Sequence, residues 1–199
     1  MDSDPKMKEN RYILFTGAPG SRWSSVANGL YQSCDLDTTD QSDTRSYEHN
    51  NGLRHSGSYF DPEMEYDFFP SEFHKPFSGE GRRLIKSHTL ATQLEMHKQY
   101  SIVLVYRSDI RCLDWWNECG GFDIEYPNYS WYREERVMFS NIQRQNHGIM
   151  RFIYNNRNRI TECVDNFEVL TGLGLDTAGV RIEGYEEKDV TVYVYKPPL

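Results

Sequence analysis

"RYILFTGAPGSRWSSVANGLY", Arg11 to Tyr31, decides how the rest of the chain is read. Its first seven residues are a short apolar run closed by glycine, the pattern of a buried strand. Beyond the turn, Trp23, Val26, Ala27, Leu30 and Tyr31 recur at i, i+3, i+4, i+7 and i+8 and line one helical face. Gly20 or Ser21 is the expected cap of that helix. A strand that feeds a helix through Gly17-Ala18-Pro19-Gly20-Ser21 aims backbone N–H groups, and the positive end of the helix dipole, at one spot. Gly17 and Gly20 permit positive φ and the close approach of an anion. Ser21 adds a hydroxyl donor and Arg22 a charge-assisted one. The segment reads equally well as a tight structural connection or as a phosphate cradle. The lysine of a GxxxxGK[ST] loop is missing before Ser21, which weighs against a nucleotide-triphosphate kinase.

Downstream, "RRLIKSH" (Arg82–His88) is an expected strand with a polar end, and "TLATQLEMHKQ" a short helix. "YSIVLVYRS" (Tyr100–Ser108) is a continuous apolar run of the kind found in central parallel strands. "DIRCLDWWNECGG" reads as a helix stopped by Gly120 and Gly121, its Trp115 and Trp116 assigned to packing. From Tyr129 to Leu175 the pattern is helical, with a stripe of Ile160, Cys163, Val164, Phe167 and Leu170 that ends at Gly172 and Gly174. "DVTVYVYKPP" alternates like a strand and stops at Pro197. Strands alternating with helices predict an α/β fold, three-layer and P-loop-like, with a central parallel sheet flanked by helices.

The chain has 199 residues, 38% hydrophobic and 26% charged, enough for a single domain over 1–199 with a real core. Its net charge of -8 argues against a general binder of nucleic-acid polymers or of anionic membranes, which need a basic face. Four cysteines, at 34, 112, 119 and 163, form no CxxC pair, so a zinc site or disulfide framework is not expected and a reduced, cytoplasmic setting is. The polar "MDSDPKMKENRY" start and the lack of a long apolar run predict neither a signal peptide nor a membrane span. The 34–81 region is rich in turn formers and aromatics without a period, and reads either as a surface excursion or as a wall facing the substrate. Its His49, His55 and His74 lack ligand spacing, so no metal is expected. Tyr126, Tyr129 and Tyr132 suit either the wall of a pocket or a subunit contact, which leaves homo-oligomerisation open.

Two further constellations bear on chemistry. Lys86 and His88 are two apart on an expected strand and so point to one face, where they supply a cation and a base that works near neutral pH, or else cap a strand end. Arg107 directly follows "IVLVY", at the strand end where α/β sheets bind ligands, and serves either a second phosphate or the surface.

Strand, glycine turn and helix, then a strand ending in Lys86-Ser87-His88, then an apolar strand ending in Arg107, resembles the sulfotransferase family that uses 3′-phosphoadenosine 5′-phosphosulfate. In that family the first motif runs like PKSGTTW, the second like KTH, and the third is an arginine after a hydrophobic strand. "APGSRW" retains the glycine, a hydroxyl residue in Ser21 and the tryptophan in Trp23. The likeness runs from Phe15 to Arg107 and is greatest to short, divergent bacterial and phage members, which implies the host cytoplasm for a phage-encoded chain. The resemblance implies that Gly17, Ala18, Pro19, Gly20, Ser21, Arg22 and Trp23 hold the 5′-phosphosulfate end. It implies that His88 takes the acceptor proton, that Lys86 steadies charge on the transferring group, and that Arg107 with Ser108 grips the 3′-phosphate. The product would be 3′,5′-adenosine bisphosphate, the acceptor a small molecule or carbohydrate met in the 34–81 region, and no metal would take part. Ala18 stands where the first motif has lysine, so that contact is lost or supplied by Arg22. Trp115 stands where a serine is expected eight residues after the arginine, and the glycine-rich C-terminal lid has no counterpart. These departures keep a second reading open, a nucleotide-binding or interaction protein of the same fold without turnover. A P-loop nucleotide kinase is the third.

Overall fold

In the strand Tyr12–Gly17 every residue is buried: Ile13 and Phe15 face one layer of the molecule, and Tyr12 and Leu14 the other. A strand covered on both faces needs no polar alternation, which is why this run is continuously apolar. The computed structural model describes residues 11–38, 47–48, 52, 54–55, 81–123 and 133–198. Along them run β1 (Tyr12–Gly17), α1 (Trp23–Leu30), β2 (Tyr47–Glu48), β3 (Arg54–His55), β4 (Arg83–Lys86), β5 (Ser101–Tyr106), α2 (Asp109–Glu118), α3 (Glu135–Asn155), β6 (Ile160–Cys163), α4 (Asn166–Leu173) and β7 (Thr191–Tyr195).

Five strands form one sheet in the order β4-β1-β5-β7-β6. β4 and β5 flank β1 in parallel, with Phe15 opposite Lys86 and Gly17 opposite Val105. β7 is antiparallel to β5, and β6 to β7. The expected parallel sheet is thus corrected to a mixed one whose parallel part is β4-β1-β5. The reason is local: β7 begins at Thr191 opposite Tyr106, the end of β5, so it can only run back along its neighbour. Val26, Ala27 and Leu30 of α1 and Val169, Leu170 and Leu173 of α4 pack on one face of the sheet. Ile149 and Phe152 of α3, with Leu90, Ala91 and Leu94, cover the other. Each buried Val, Leu, Ile or Phe among them contributes about 1.5–3 kcal/mol, so both helical layers are held by the sheet itself. A small third cluster, Ala18, Cys112, Trp116, Met138 and Ile142, ties α2 and α3 to the glycine turn.

Several boundaries differ from the sequence reading. The helical stripe over 160–170 is not one helix: Ile160 to Cys163 pair with β7 as β6, and Val164 and Phe167 are exposed. Apolar spacing in a short run fits either element, and pairing with β7 decides. α4 starts later, where Asp165 accepts from the Glu168 N–H at 2.8 Å and the Glu168 carboxylate accepts from the Val164 N–H at 2.9 Å. Asp165 is thus a side-chain N-cap, legible as the Asp of "DNFE", while Glu168 reaches one residue further back than the cap. "TLATQLEMHKQ" forms two 3-10 turns, Thr89–Thr92 and Leu94–His97, instead of an α-helix. Most of 34–81, with His49 and His74, and Tyr126, Tyr129 and Tyr132 lie outside the described residues; within them β2 and β3 make a separate antiparallel pair. No helix among the described residues is long and apolar enough to cross a membrane.

Candidate functional site

β4, β1 and β5 are neighbours and parallel, so whatever follows each of them is brought to one end of the sheet. After β1 comes the turn to Arg22, after β4 Ser87 and His88, and after β5 Arg107 and Ser108. Carboxyl ends of parallel strands are where such sheets hold ligands.

The turn is tight at both glycines. A Cβ on Gly17 would lie 2.5 Å from Ser21 Oγ, and one on Gly20, at φ +77, would lie 1.9 Å from the Cys112 carbonyl oxygen. The Ser21 N–H closes the turn on the Ala18 carbonyl at 3.0 Å. Ser21 is fully buried and its Oγ has no hydrogen-bond partner. A buried hydroxyl left so costs about 1–3 kcal/mol, a loss that a bound oxyanion would relieve. Neither Gly20 nor Ser21 caps α1. Arg22 does, at φ 61, with no side-chain cap and no acidic residue in the first turn, so the positive helix end is left to other groups. Ala18 turns into the Cys112–Trp116–Met138–Ile142 cluster and Pro19 is buried beside it in the chain, so both shape the turn through packing.

The second strand tip is pinned to the first. Thr16 Oγ1 donates to the Ser87 carbonyl at 2.6 Å, and the Ser87 N–H donates to the Phe15 carbonyl at 3.0 Å. His88 Nδ1 lies 2.5 Å from the Gly17 carbonyl oxygen. A carbonyl only accepts, so Nδ1 carries the proton; in the neutral ring Nε2 then holds the lone pair, the tautomer a general base requires. The imidazole stacks on Trp23, 3.7 Å between ring centroids and 19° between planes, and Lys86 Nζ lies 4.8 Å from the centroid of the same indole. Both side chains therefore meet at Trp23, although not by strand spacing: β4 ends at Lys86, and His88 lies beyond it in helical backbone, φ -68 and ψ -39. Both are buried, at 3% and 5% exposure.

At the third tip, Arg107 Nε donates to the Asp189 carbonyl at 3.2 Å, and Nη1 to the carbonyls of Arg111 at 3.0 Å and Gly20 at 3.5 Å. The arginine thus bridges the turn to Asp189, two residues before β7. Arg22 joins it: Nη1 donates to the Lys188 carbonyl at 3.3 Å, and its guanidinium lies 4.3 Å from the Trp115 ring centroid, with that of Arg107 at 5.7 Å. Burial, and after it the neighbouring Arg107 charge, lowers the Arg22 pKa. Trp116 is core, as expected, whereas Trp115 is only half-buried and carries two guanidinium groups. Ser108 is exposed and caps α2 without a side-chain hydrogen bond to the helix. The site also contains Arg111 and Asp189, which the sequence reading passed over. Arg111 follows Arg107 by one helical turn, a spacing that could have marked it. Family models, characterised proteins and solved structures yield no match to this chain.

Proposed function

We propose that the chain is a sulfotransferase, moving a sulfuryl group from 3′-phosphoadenosine 5′-phosphosulfate to a hydroxyl of a small-molecule or carbohydrate acceptor, on a P-loop-like turn. One observation carries this reading: the His88 Nδ1 bond to the Gly17 carbonyl ties a correctly polarised base to the anion turn itself. The residues fit the donor. The orphaned Ser21 hydroxyl and Arg22 suit its phosphosulfate end, and Arg107 with Ser108 suits its 3′-phosphate. His88 Nε2 takes the proton of the acceptor hydroxyl as that oxygen bonds to sulfur. Lys86 offsets charge on the bridging phosphate oxygen as its bond to sulfur breaks, and 3′,5′-adenosine bisphosphate leaves. Reactions of this kind are driven by positioning and electrostatics, which fixed N–H groups and one ammonium supply.

The test is transfer of labelled sulfate from the donor to a broad acceptor panel. His88→Ala is expected to lower turnover roughly 10²–10⁴-fold, and undiminished turnover removes His88 from the mechanism. In parallel, 3′,5′-adenosine bisphosphate at 100 times its dissociation constant should stabilise the fold by about 2.7 kcal/mol, whereas a response to ATP–magnesium alone favours a kinase. The reading without turnover has one observation in its favour: Arg107 already donates to three carbonyls and faces a carboxylate, Asp189. Stabilisation by the bisphosphate with no transfer to any acceptor would select it.

A further inference from the structure

Asp189 sits between a 3-10 turn, Glu186–Lys188, and β7, at φ 54, a left-handed conformation that Asp and Asn tolerate better than other side chains. Its Oδ2 lies 3.6 Å from Arg107 Nη2 and 3.5 Å from Arg111 Nε, between two guanidinium groups. Both separations exceed the roughly 2.7–2.9 Å of a well-made charge-assisted hydrogen bond, so the carboxylate is loosely held. It is also 61% exposed, whereas the Arg107 side chain is 9% exposed and fixed from three directions by backbone carbonyls. Nη2, which makes none of those carbonyl bonds, is the Arg107 nitrogen paired with the carboxylate. Close by, Arg22 brings a third guanidinium, its buried Nε without a hydrogen-bond partner. Glu118 also acts on Arg22, so three cations meet two carboxylates, and the seat still carries more positive charge than its occupants cancel.

Resting on the sulfotransferase reading, we infer that Arg111 joins Arg107 as the seat of the donor's 3′-phosphate, and that the Asp189 carboxylate occupies this seat as an internal competitor which a phosphate monoester displaces. A dianion with three terminal oxygens can engage Arg107 Nη2 and Arg111 together at proper hydrogen-bond length, which one carboxylate oxygen midway between them does not. The competitor therefore favours dianionic ligands over monoanionic ones and discriminates against nucleotides that lack the 3′-phosphate. Arg111 thereby takes the part that a serine eight residues after Arg107 would have played, a position filled here by Trp115, whose ring carries the guanidinium groups of Arg22 and Arg107.

The test uses Asp189→Asn, which suits the same backbone conformation, and Arg111→Ala, which truncates an exposed side chain. Binding of 3′,5′-adenosine bisphosphate and of adenosine 5′-monophosphate is measured by calorimetry at low salt, and of inorganic phosphate by phosphorus NMR line width. Asp189→Asn should tighten bisphosphate and inorganic phosphate roughly two- to tenfold, and Arg111→Ala should weaken both by a similar factor, with the monophosphate unmoved. Phosphate affinity indifferent to Asp189→Asn, or a monophosphate that shifts as much as the bisphosphate, overturns the inference. Inorganic phosphate that follows both substitutions while neither nucleotide binds would uphold the anion seat and sink the sulfotransferase reading instead.

Discussion

Gly20→Ala probes the strand-tip turn at its tightest point, and two costs add. A residue with a Cβ pays about 1–2 kcal/mol for left-handed backbone, and Gly20 has φ +77. The added methyl would also lie 1.9 Å from the Cys112 carbonyl oxygen, 2.7 Å from its carbon and 3.0 Å from its Cα. Those are backbone atoms of α2 and cannot rotate aside, so the turn or the helix start has to move, and overpacking of this kind costs about 1–3 kcal/mol. The expected loss is about 2–5 kcal/mol. Gly174→Ala is the control, because Gly174 has φ +69 and a Cβ there meets nothing within 4 Å, which leaves the backbone term alone. Urea unfolding of the wild type and both variants, followed by circular dichroism at a common m-value, gives the difference between the two losses. That difference isolates the collision with Cys112. Gly20 also accepts from Arg107 through its carbonyl, so the same substitution should weaken bisphosphate binding. Equal losses in the two variants, within about 0.5 kcal/mol, would mean that the turn does not rest on α2 and that the strand tips are not gathered as described.

His97 is buried, and burial lowers its pKa from 6.5. Between the unfolded and the lower folded pKa the unfolded chain binds a proton that the native state refuses. Its contribution is therefore complete above about pH 6.5 and declines as pH falls, by at most about 1.4 kcal/mol per unit. The stability difference between wild type and His97→Leu, taken by urea unfolding across that range, should follow this slope; a difference independent of pH refutes it. Cys34 is exposed, yet its thiol donates to the Asp176 carboxylate at 3.3 Å, and that bond raises its pKa; burial pushes Cys112 up to about 12 and Cys163 to about 11. A disulfide reagent at mildly alkaline pH should meet one slow thiol in the native protein and four after unfolding, and Asp176→Asn should speed the native reaction several-fold. An unchanged rate in that variant would show that the hydrogen bond does not control the thiol.

What was legible in the sequence is what local pattern can encode. β1 and β5 are covered on both faces, so each is an unbroken apolar run, whereas Lys86 and His88 meet at Trp23 because the chain turns after β4, which strand spacing does not encode. Arg22 escaped as the cap of α1 because its positive φ is imposed by the turn around Gly20, not by its own preference. β6 escaped because "ITEC" is too short to carry a period, although "DNFE" just after it marked the true helix start. Asp189 lies 82 residues from Arg107, and only the antiparallel return of β7 brings the two together. The alternation of the C-terminal strand carries no direction, so the sequence does not reveal that contact.

Stability alone gives little reason for the composition of this site. An ammonium at 3% exposure and an imidazole at 5% lie against one indole, where apolar residues of similar volume would fold as well or better. Next to them, the Ser21 hydroxyl is buried without a partner at a turn whose two glycines admit no side chain. Burial penalties of this kind concentrate where chemistry requires them. On the proposed function, an oxyanion and a proton to be moved account for three such features, set on neighbouring parallel strand tips and joined by one His88–Gly17 hydrogen bond.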